Sequence, residues 1–365
     1  MIKTTLSLAL FLVILVACKP VNHIADQTDI PTGLIKTMGK PGTTKHVEHT
    51  PDRTDISSES LTSIYLPWIT RPVEFIPDWT NVPWGPFKLI DPPEITNPVL
   101  TAMDVTDRDA AYVSDPFLFH ENGLWHMFLE VYNLQTSQGD IGLASSSDGF
   151  HWKYERIVLD ETFHLSYHYV FKVGTTYYMI PETFQLSEVR IYKAINFPYK
   201  WTYLATLITG RPFVDPSVIF YNGRYWIFVS EPENKTLYLY SSSSLTEDWV
   251  EHPQSPIIKN NTHQGRPGGR SFIYNGNQII RISQNWGGGL KVRAFKVDIL
   301  DTSLYVEHEL RESPLLESGS DPKDWYAGGI HHFDPWWTGE YWIVAFDGRD
   351  LDKSFRIGIK ISEGP

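Results

Sequence analysis

The amino-acid sequence predicts an all-β fold, a five-bladed β-propeller with four-stranded blades. A hairpin of one design recurs five times, its first strand starting at Asp115, His168, Asp215, Arg266 and His332. The intervals are 53, 47, 51 and 66 residues, near the ~40–50-residue period of propeller blades. No long stretch carries the 3.6-residue apolar repeat of an amphipathic helix.

The first copy defines the device. Ser114-Asp115-Pro116-Phe117-Leu118-Phe119 runs through an Asn122-Gly123 turn into Trp125-His126-Met127-Phe128-Leu129-Glu130. Asn-Gly between apolar runs is a strong hairpin signal, because both turn residues take positive φ. The Asp starting one strand and the Glu ending the next lie side by side at the open end. Later copies place His168 with Glu182, Asp215 with Glu231, Arg266 with Gln284 and His332 with Asp347 at those two positions. Inner strands of a propeller start around one mouth, so these residues are expected to ring a single pocket.

In chain order, Lys3 and the apolar run 6–16 form a targeting segment. Its end, Leu15-Val16-Ala17-Cys18, resembles a bacterial lipoprotein lipobox. The resemblance implies that residues 1–18 are a lipoprotein signal peptide and that lipid on Cys18 anchors an exported protein to a bilayer. Lys19, not Asp, follows, which favours an outer-membrane or surface location. The alternative is an ordinary cleaved signal peptide. Cys18 is the sole cysteine, so no intrachain disulfide forms. Residues 19–64, rich in Thr, Pro, Asp and Lys, read as a flexible tether, and 65–365 as the propeller.

Within 65–365, Phe87-Lys88-Leu89-Ile90 is an expected strand. It is positioned to supply the outer strand of the last blade, because the stretch after Asp347 holds only one or two strands. Residues 97–102 lead into the first inner strand. Outer strands recur as 139–146 before Trp152, 189–194 before Trp201 and 237–242 before Trp249. Aromatics make up 14% of the chain, which suits strands and sugar-binding surfaces alike. The net charge of −12 argues against a nucleic-acid partner. No segment after the leader is apolar for long enough to cross a bilayer.

The Ser114-Asp115-Pro116 start, the Ser147-Asp148-Gly149-Phe150-His151-Trp152 turn and Val214-Asp215-Pro216 resemble five-bladed propeller glycosidases. These are the clan of glycoside hydrolase family 43 and the levansucrase-invertase enzymes. A closer resemblance covers roughly 97–350. It is to the N-terminal propeller-like domain of glucosamine inositolphosphorylceramide transferases and their bacterial homologues. It rests on Asn97-Pro98-Val99-Leu100, Asp115-Pro116-Phe117-Leu118, Tyr178-Met179-Ile180-Pro181-Glu182, Arg266-Pro267-Gly268-Gly269-Arg270 and His331-His332. In the plant proteins a glycosyltransferase domain follows this module, and no such domain fits before Pro365. The resemblance therefore implies the propeller and not the transfer activity.

The glycosidase clan implies three carboxylates: a base or nucleophile, an acid, and a third that tunes pKa values. Asp115 matches the first and Asp215 the third. The clan's acid is a fourth-blade Glu, where this chain has Arg266, so Glu182 or Glu231 is the expected replacement. Glycoside cleavage needs one protonated and one ionised carboxyl, and like-charge crowding can hold one protonated. Expected catalytic residues are thus Asp115, Asp215, Glu182 and Glu231. Expected substrate-binding residues are Glu130, His168, Arg266, Gln284, His332 and Asp347, with Arg266 either holding a carboxylate ionised or meeting an anionic substrate group. Trp286 and Trp325 are candidates to stack on sugar rings.

Bland readings stand beside these. An Asp before Pro can merely start a strand, and Glu182 and Glu231 can pair with Arg266, Arg270 or Arg281. A metal set of His331, His332 and Asp334 is disfavoured, because adjacent strand residues face opposite ways. No cofactor is expected, and a calcium ion on the axis is not indicated. The expected partner is a polysaccharide or glycoconjugate, bound by a hydrolase or by a non-catalytic glycan-binding lipoprotein.

Overall fold

A computed structural model describes residues 74–75, 79–287 and 289–363. All lie in one compact unit, Leu66–Pro365. The signal peptide, Cys18 and the tether fall outside the described residues.

Five antiparallel sheets form the propeller. Blade one consists of Ala110–Glu121, Leu124–Asn133, Gln138–Ser146 and Lys153–Leu159. Blades two and three begin with Ser166–Val173 and Val214–Tyr221. The inner strand of blade four is broken into Arg266–Pro267 and Phe272–Tyr274. Blade five begins with Gly329–Trp337. A short strand, Glu74–Phe75, joins the inner strand of blade two, an addition the repeat pattern did not signal.

The Asn-Gly turns behave as their chemistry requires. Asn122 and Gly123 have φ 53° and 76°, and Asn222 and Gly223 have 51° and 75°. Both residues sit in the left-handed region, which matches the twist of the flanking strands. Leu89–Ile90 pairs with Phe355–Ser362, so an N-terminal strand closes the last blade, as its place in the chain suggested. Asn97 strengthens this seam, because its side chain exchanges two 2.8 Å hydrogen bonds with the backbone of Ile359.

The axis is closed by polar groups as well as by rings. Arg270, from blade four, is fully buried and donates through Nε to Asp334 Oδ1 of blade five at 2.7 Å. Its other nitrogens donate to Val170 O of blade two at 3.2 Å and Leu118 O of blade one at 3.1 Å. Asp334 Oδ2 accepts the Leu118 amide at 2.6 Å. Ser217 of blade three reaches Ser271 at 3.1 Å. Arg270 also lies over the rings of Tyr169 and Phe117, at 4.8 and 5.5 Å.

Removing one partner of a buried pair strands the other charge and costs about 3–5 kcal/mol. Asp334→Ala is therefore expected to lower unfolding stability by that order in a urea titration, far more than Glu317→Ala, whose pair with Lys291 is exposed.

Candidate functional site

The inner strands carry a shared irregularity at the mouth. The register slips between Ser114 and Phe117, between Ser166 and Tyr169, and between Val214 and Ser217. Each slip is a bulge holding one residue at positive φ: Asp115 at 50°, Tyr167 at 39° and Asp215 at 51°. A bulge re-aims a side chain that regular alternation would send elsewhere. Here it turns the Asp115 and Asp215 carboxyls into the mouth.

The bulges also revise the expected register. Glu182 pairs with Ser166, so Tyr167 occupies the place of Asp115 in blade two. His168 turns into the axis with no exposure and packs against Phe117 at 5.5 Å. Burial lowers its pKa to about 4, so it is a neutral axial ring and not a residue open to substrate. In blade three, Ser230 pairs with Val214, one residue short of Glu231. Glu231 instead accepts the Tyr238 hydroxyl at 2.9 Å, outside both carboxylate clusters. Of the four expected catalytic side chains, Asp115, Glu182 and Asp215 gather at the mouth and Glu231 does not.

The first cluster centres on Asp115. Its amide donates to Asp347 Oδ2 at 2.9 Å, and its Oδ1 lies 3.4 Å from His332 Nδ1 and 3.9 Å from His331 Nδ1. His332 and Asp347 are paired across the strands as expected, yet both are wholly buried. His331 Nδ1 lies 2.9 Å from Asp347 Oδ1. A register slip between Ile330 and His332 brings both neighbouring histidines to Asp115, and Asp334 turns away to Arg270. Strict alternation had argued against that proximity. Glu130 accepts from the Ser114 hydroxyl at 2.7 Å, and its Oε1 stands 3.7 Å from His164 Nε2.

Burial alone would push Asp115 up, but contact with His332 and the charge of His331 hold it well below the usual carboxylate range. Glu130 is pushed up to about 8, by burial first and then by the charge of Asp115. His331 rises to about 9 despite burial, because Asp347 and Asp115 face it. His331 and His164 were not among the expected substrate residues. Nothing in the strand pattern distinguished them from packing histidines.

The second cluster centres on Asp215. Arg266 grips it through Nε and, at 3.1 Å, through Nη2, and Gln284 Nε2 donates to the same carboxylate. Arg266 Nη1 donates to Asn234 Oδ1 at 2.7 Å. The guanidinium thus pairs with protein groups, which is the first of its two expected roles, holding a carboxylate ionised. Glu182 Oε2 accepts the Asp215 amide at 3.1 Å and lies 3.7 Å from Arg266. Burial, and then the charge of Asp215, raise Glu182 well above its ordinary value, with Arg266 opposing. Trp286 is 38% exposed, donates to Gln284 Oε1 at 2.7 Å and lies under Arg266.

Asp115, His331 and Asp347 offer ligand atoms all within 4.8 Å of one another, the one such group among the described residues. Asp347 already accepts from three backbone amides, those of Asp115, His331 and His332. With His331 as the cation between two carboxylates, the group reads as an ion-pair cluster.

Five antiparallel blades around a mouth of buried carboxylates define the class, a five-bladed β-propeller. The chain belongs to the family described as "Glucosamine inositolphosphorylceramide transferase 1, N-terminal", which matches residues 88–349. The protein of that name from Oryza sativa subsp. japonica is 35% identical over 248 residues, 65% of this chain and 33% of the relative. That from Arabidopsis thaliana is 34% identical over 233 residues, 61% and 30%. The chain thus spans about a third of the length of these curated relatives. The catalytic domain of the Coprinopsis cinerea GH62 α-L-arabinofuranosidase superposes with TM-score 0.56 at 15% identity, over 76% of this chain and 95% of that one. A structure from the GH130 family of mannoside phosphorylases superposes with TM-score 0.54 at 14% identity, over 79% and 96%. At these identities the likeness is one of fold.

The raised groups fix a pH dependence. Between its ordinary 4.5 and about 8, Glu130 keeps a proton in the folded protein that the unfolded chain has lost. His331 does the same between 6.5 and about 9. Both groups bind more protons in the folded state, so their contribution to stability falls as pH rises through these windows, while His168, lowered to about 4, acts in the opposite sense up to about 6.5. Thermal unfolding is expected to show the fall between about 6.5 and 9, where Glu130 and His331 act together, and Glu130→Gln to flatten it up to about 8.

Proposed function

We propose that this propeller is a carbohydrate-active protein that hydrolyses O-glycosidic bonds, with Asp115 as its ionised carboxylate and Glu182 as its proton donor. The observation carrying this reading is the pairing, in one mouth, of a carboxylate held ionised by histidines with a buried carboxyl held protonated. Those are the two states glycoside cleavage requires. Glu182 has one oxygen tied to the Asp215 amide, which orients its carboxyl. Burial and the charge of Asp215 beside it favour its protonated form, and Arg266 opposes them.

In the reaction, Glu182 gives its proton to the leaving oxygen as the anomeric C–O bond breaks. A water molecule supplies the new C–O bond. Asp115 either takes that water's proton or first forms the bond itself. A carboxyl separation of ~6.5–9.5 Å accompanies the former and ~5–5.5 Å the latter.

One observation favours a second reading, a non-catalytic glycan-binding module. Asp215 is locked by Arg266 and Gln284, and Arg266 by Asn234, as in a site built to stay rigid. A screen of aryl glycosides and polysaccharides separates the two. Release by the native chain, reduced about 10²–10⁴-fold in Asp115→Asn and Glu182→Gln with binding retained, supports the hydrolase. Binding without release, unchanged in both variants, sinks it.

The lipobox motif extends the proposal to an exported protein anchored at an outer-membrane face through Cys18. Labelled palmitate is expected to enter the native chain and not Cys18→Ser. Equal labelling of both would remove the anchor.

A further inference from the structure

Blade four is the longest repeat, 66 residues from its strand start to that of blade five. Part of the extra length is a loop, 318–328, that lies beside the closing segment 91–97. Between them is an open cavity of about 330 Å³, lined by Asp91, Thr96, Asp324, Trp325 and Tyr326 among others. It shares strand Trp342–Arg349 with the mouth, since Phe346 lines the cavity and Asp347 belongs to the first carboxylate cluster. Trp325 and Tyr326 lie against Gly348, and Gly348 follows Asp347 in the chain, ~3.8 Å away between Cα atoms.

The seat of Trp325 is built into the sheet. A Cβ at Gly348 would meet Trp325 Cζ3 at 2.9 Å and Tyr326 Cβ at 2.5 Å. A Cβ at Gly358 would meet Trp325 Cζ2 at 2.9 Å. Both glycines lie inside strands, Trp342–Arg349 and Phe355–Ser362, where glycine weakens pairing and marks a close approach. The indole therefore rests over the backbone of two outer strands, with Phe346 at 5.5 Å and the Tyr326 ring edge-on at 5.2 Å. Packing supports it from the sheet side, and the cavity opens beside it.

Two of the polar groups at the rim are carboxylate acceptors, beside the Thr96 and Tyr326 hydroxyls and the Asn97 amide. Asp91 is 65% exposed at its side chain and pairs with Lys360 at 2.8 Å. Asp324 is half-buried, with Oδ2 accepting only the Asp321 amide at 3.3 Å. Carboxylates beside a fixed aromatic ring suit a ligand with apolar C–H faces and hydroxyl donors, and repel an anion.

We propose that this cavity is a second sugar-binding subsite, taking an uncharged unit of an oligosaccharide whose other end enters the mouth. The inference rests on the carbohydrate reading above and deepens it. It makes the substrate a chain rather than a single glycoside, with Trp325 as the platform and Asp324 as the hydroxyl acceptor.

The experiment uses the full chain carrying Glu182→Gln, to prevent turnover, and titrates it calorimetrically with arabino-, manno-, xylo- and cello-tetraose. Trp325→Ala and Asp324→Asn are then added singly, and Trp325→Phe tests rescue by another ring. Asp324→Asn changes no volume, so it remains informative if Trp325→Ala fails to fold. The expected result is binding of at least one tetraose, weakened about tenfold or more by Trp325→Ala and Asp324→Asn, and largely restored by Trp325→Phe. In the otherwise native chain, release from aryl monoglycosides stays unchanged in both variants. Tetraose binding indifferent to both variants overturns the subsite, as does an absence of tetraose binding in a chain that cleaves aryl monoglycosides. A chain that neither binds tetraoses nor cleaves glycosides overturns the carbohydrate reading itself.

Discussion

The propeller depends on one buried ion pair. Arg270 and Asp334 lie at the axis with essentially no exposure, where an unpaired charge would be prohibitive. The cost of dehydrating them is offset because nearly every polar atom finds a partner. Those partners come from blades one, two, four and five, while Ser217 ties in blade three. Apolar contacts are non-directional and leave blades free to slide against one another. A guanidinium that must meet a carboxylate and two specific carbonyls fixes their relative height. That fixed height lets bulges in separate blades aim into one mouth.

The bulges convert rigidity into a site. An Asp at φ near 50° occupies a region that L-residues other than Asn, Asp and Gly enter reluctantly. Asp115 and Asp215 are among the side chains best suited to it, which gives them a structural and a chemical reason to be where they are. Tyr167 at φ 39° has only the first constraint, and its position is held by contacts. Its hydroxyl donates to Gly269 O at 2.6 Å and accepts from Gly269 N at 2.8 Å.

Much of the fold was legible in the sequence because Asn-Gly turns and alternating apolar runs are local signals. The five hairpins, the closing strand at Leu89–Ile90 and the pairings of Arg266 with Gln284 and His332 with Asp347 follow from them. The site was legible only in part, because a bulge adds one residue to one strand and leaves no compositional trace. Counting by twos therefore placed His168 in the mouth, kept His331 and His332 apart, and put Glu231 one position out of register. The commitment of Arg266 was open for another reason. Asn234 and Asp215 approach it from blade three, and partners this distant in sequence leave no mark near residue 266.

Blade four shows how the two demands compete. Its inner strand breaks at 268–271, where a Cβ on Gly269 would fall 2.0 Å from Phe333 O. The backbone passes there against blade five, and it must, because Arg270 has to reach Asp334. Arg266 just before the break faces Asp215 and Glu182. Arg266 is a cation at the start of that strand, and it raises the negative charge tolerated nearby. Facing that cation from blade two is Glu182, 3.7 Å from Arg266, whose pKa is raised by burial and by Asp215. The axial lock and the Arg266–Asp215–Glu182 cluster thus flank a single break in one strand.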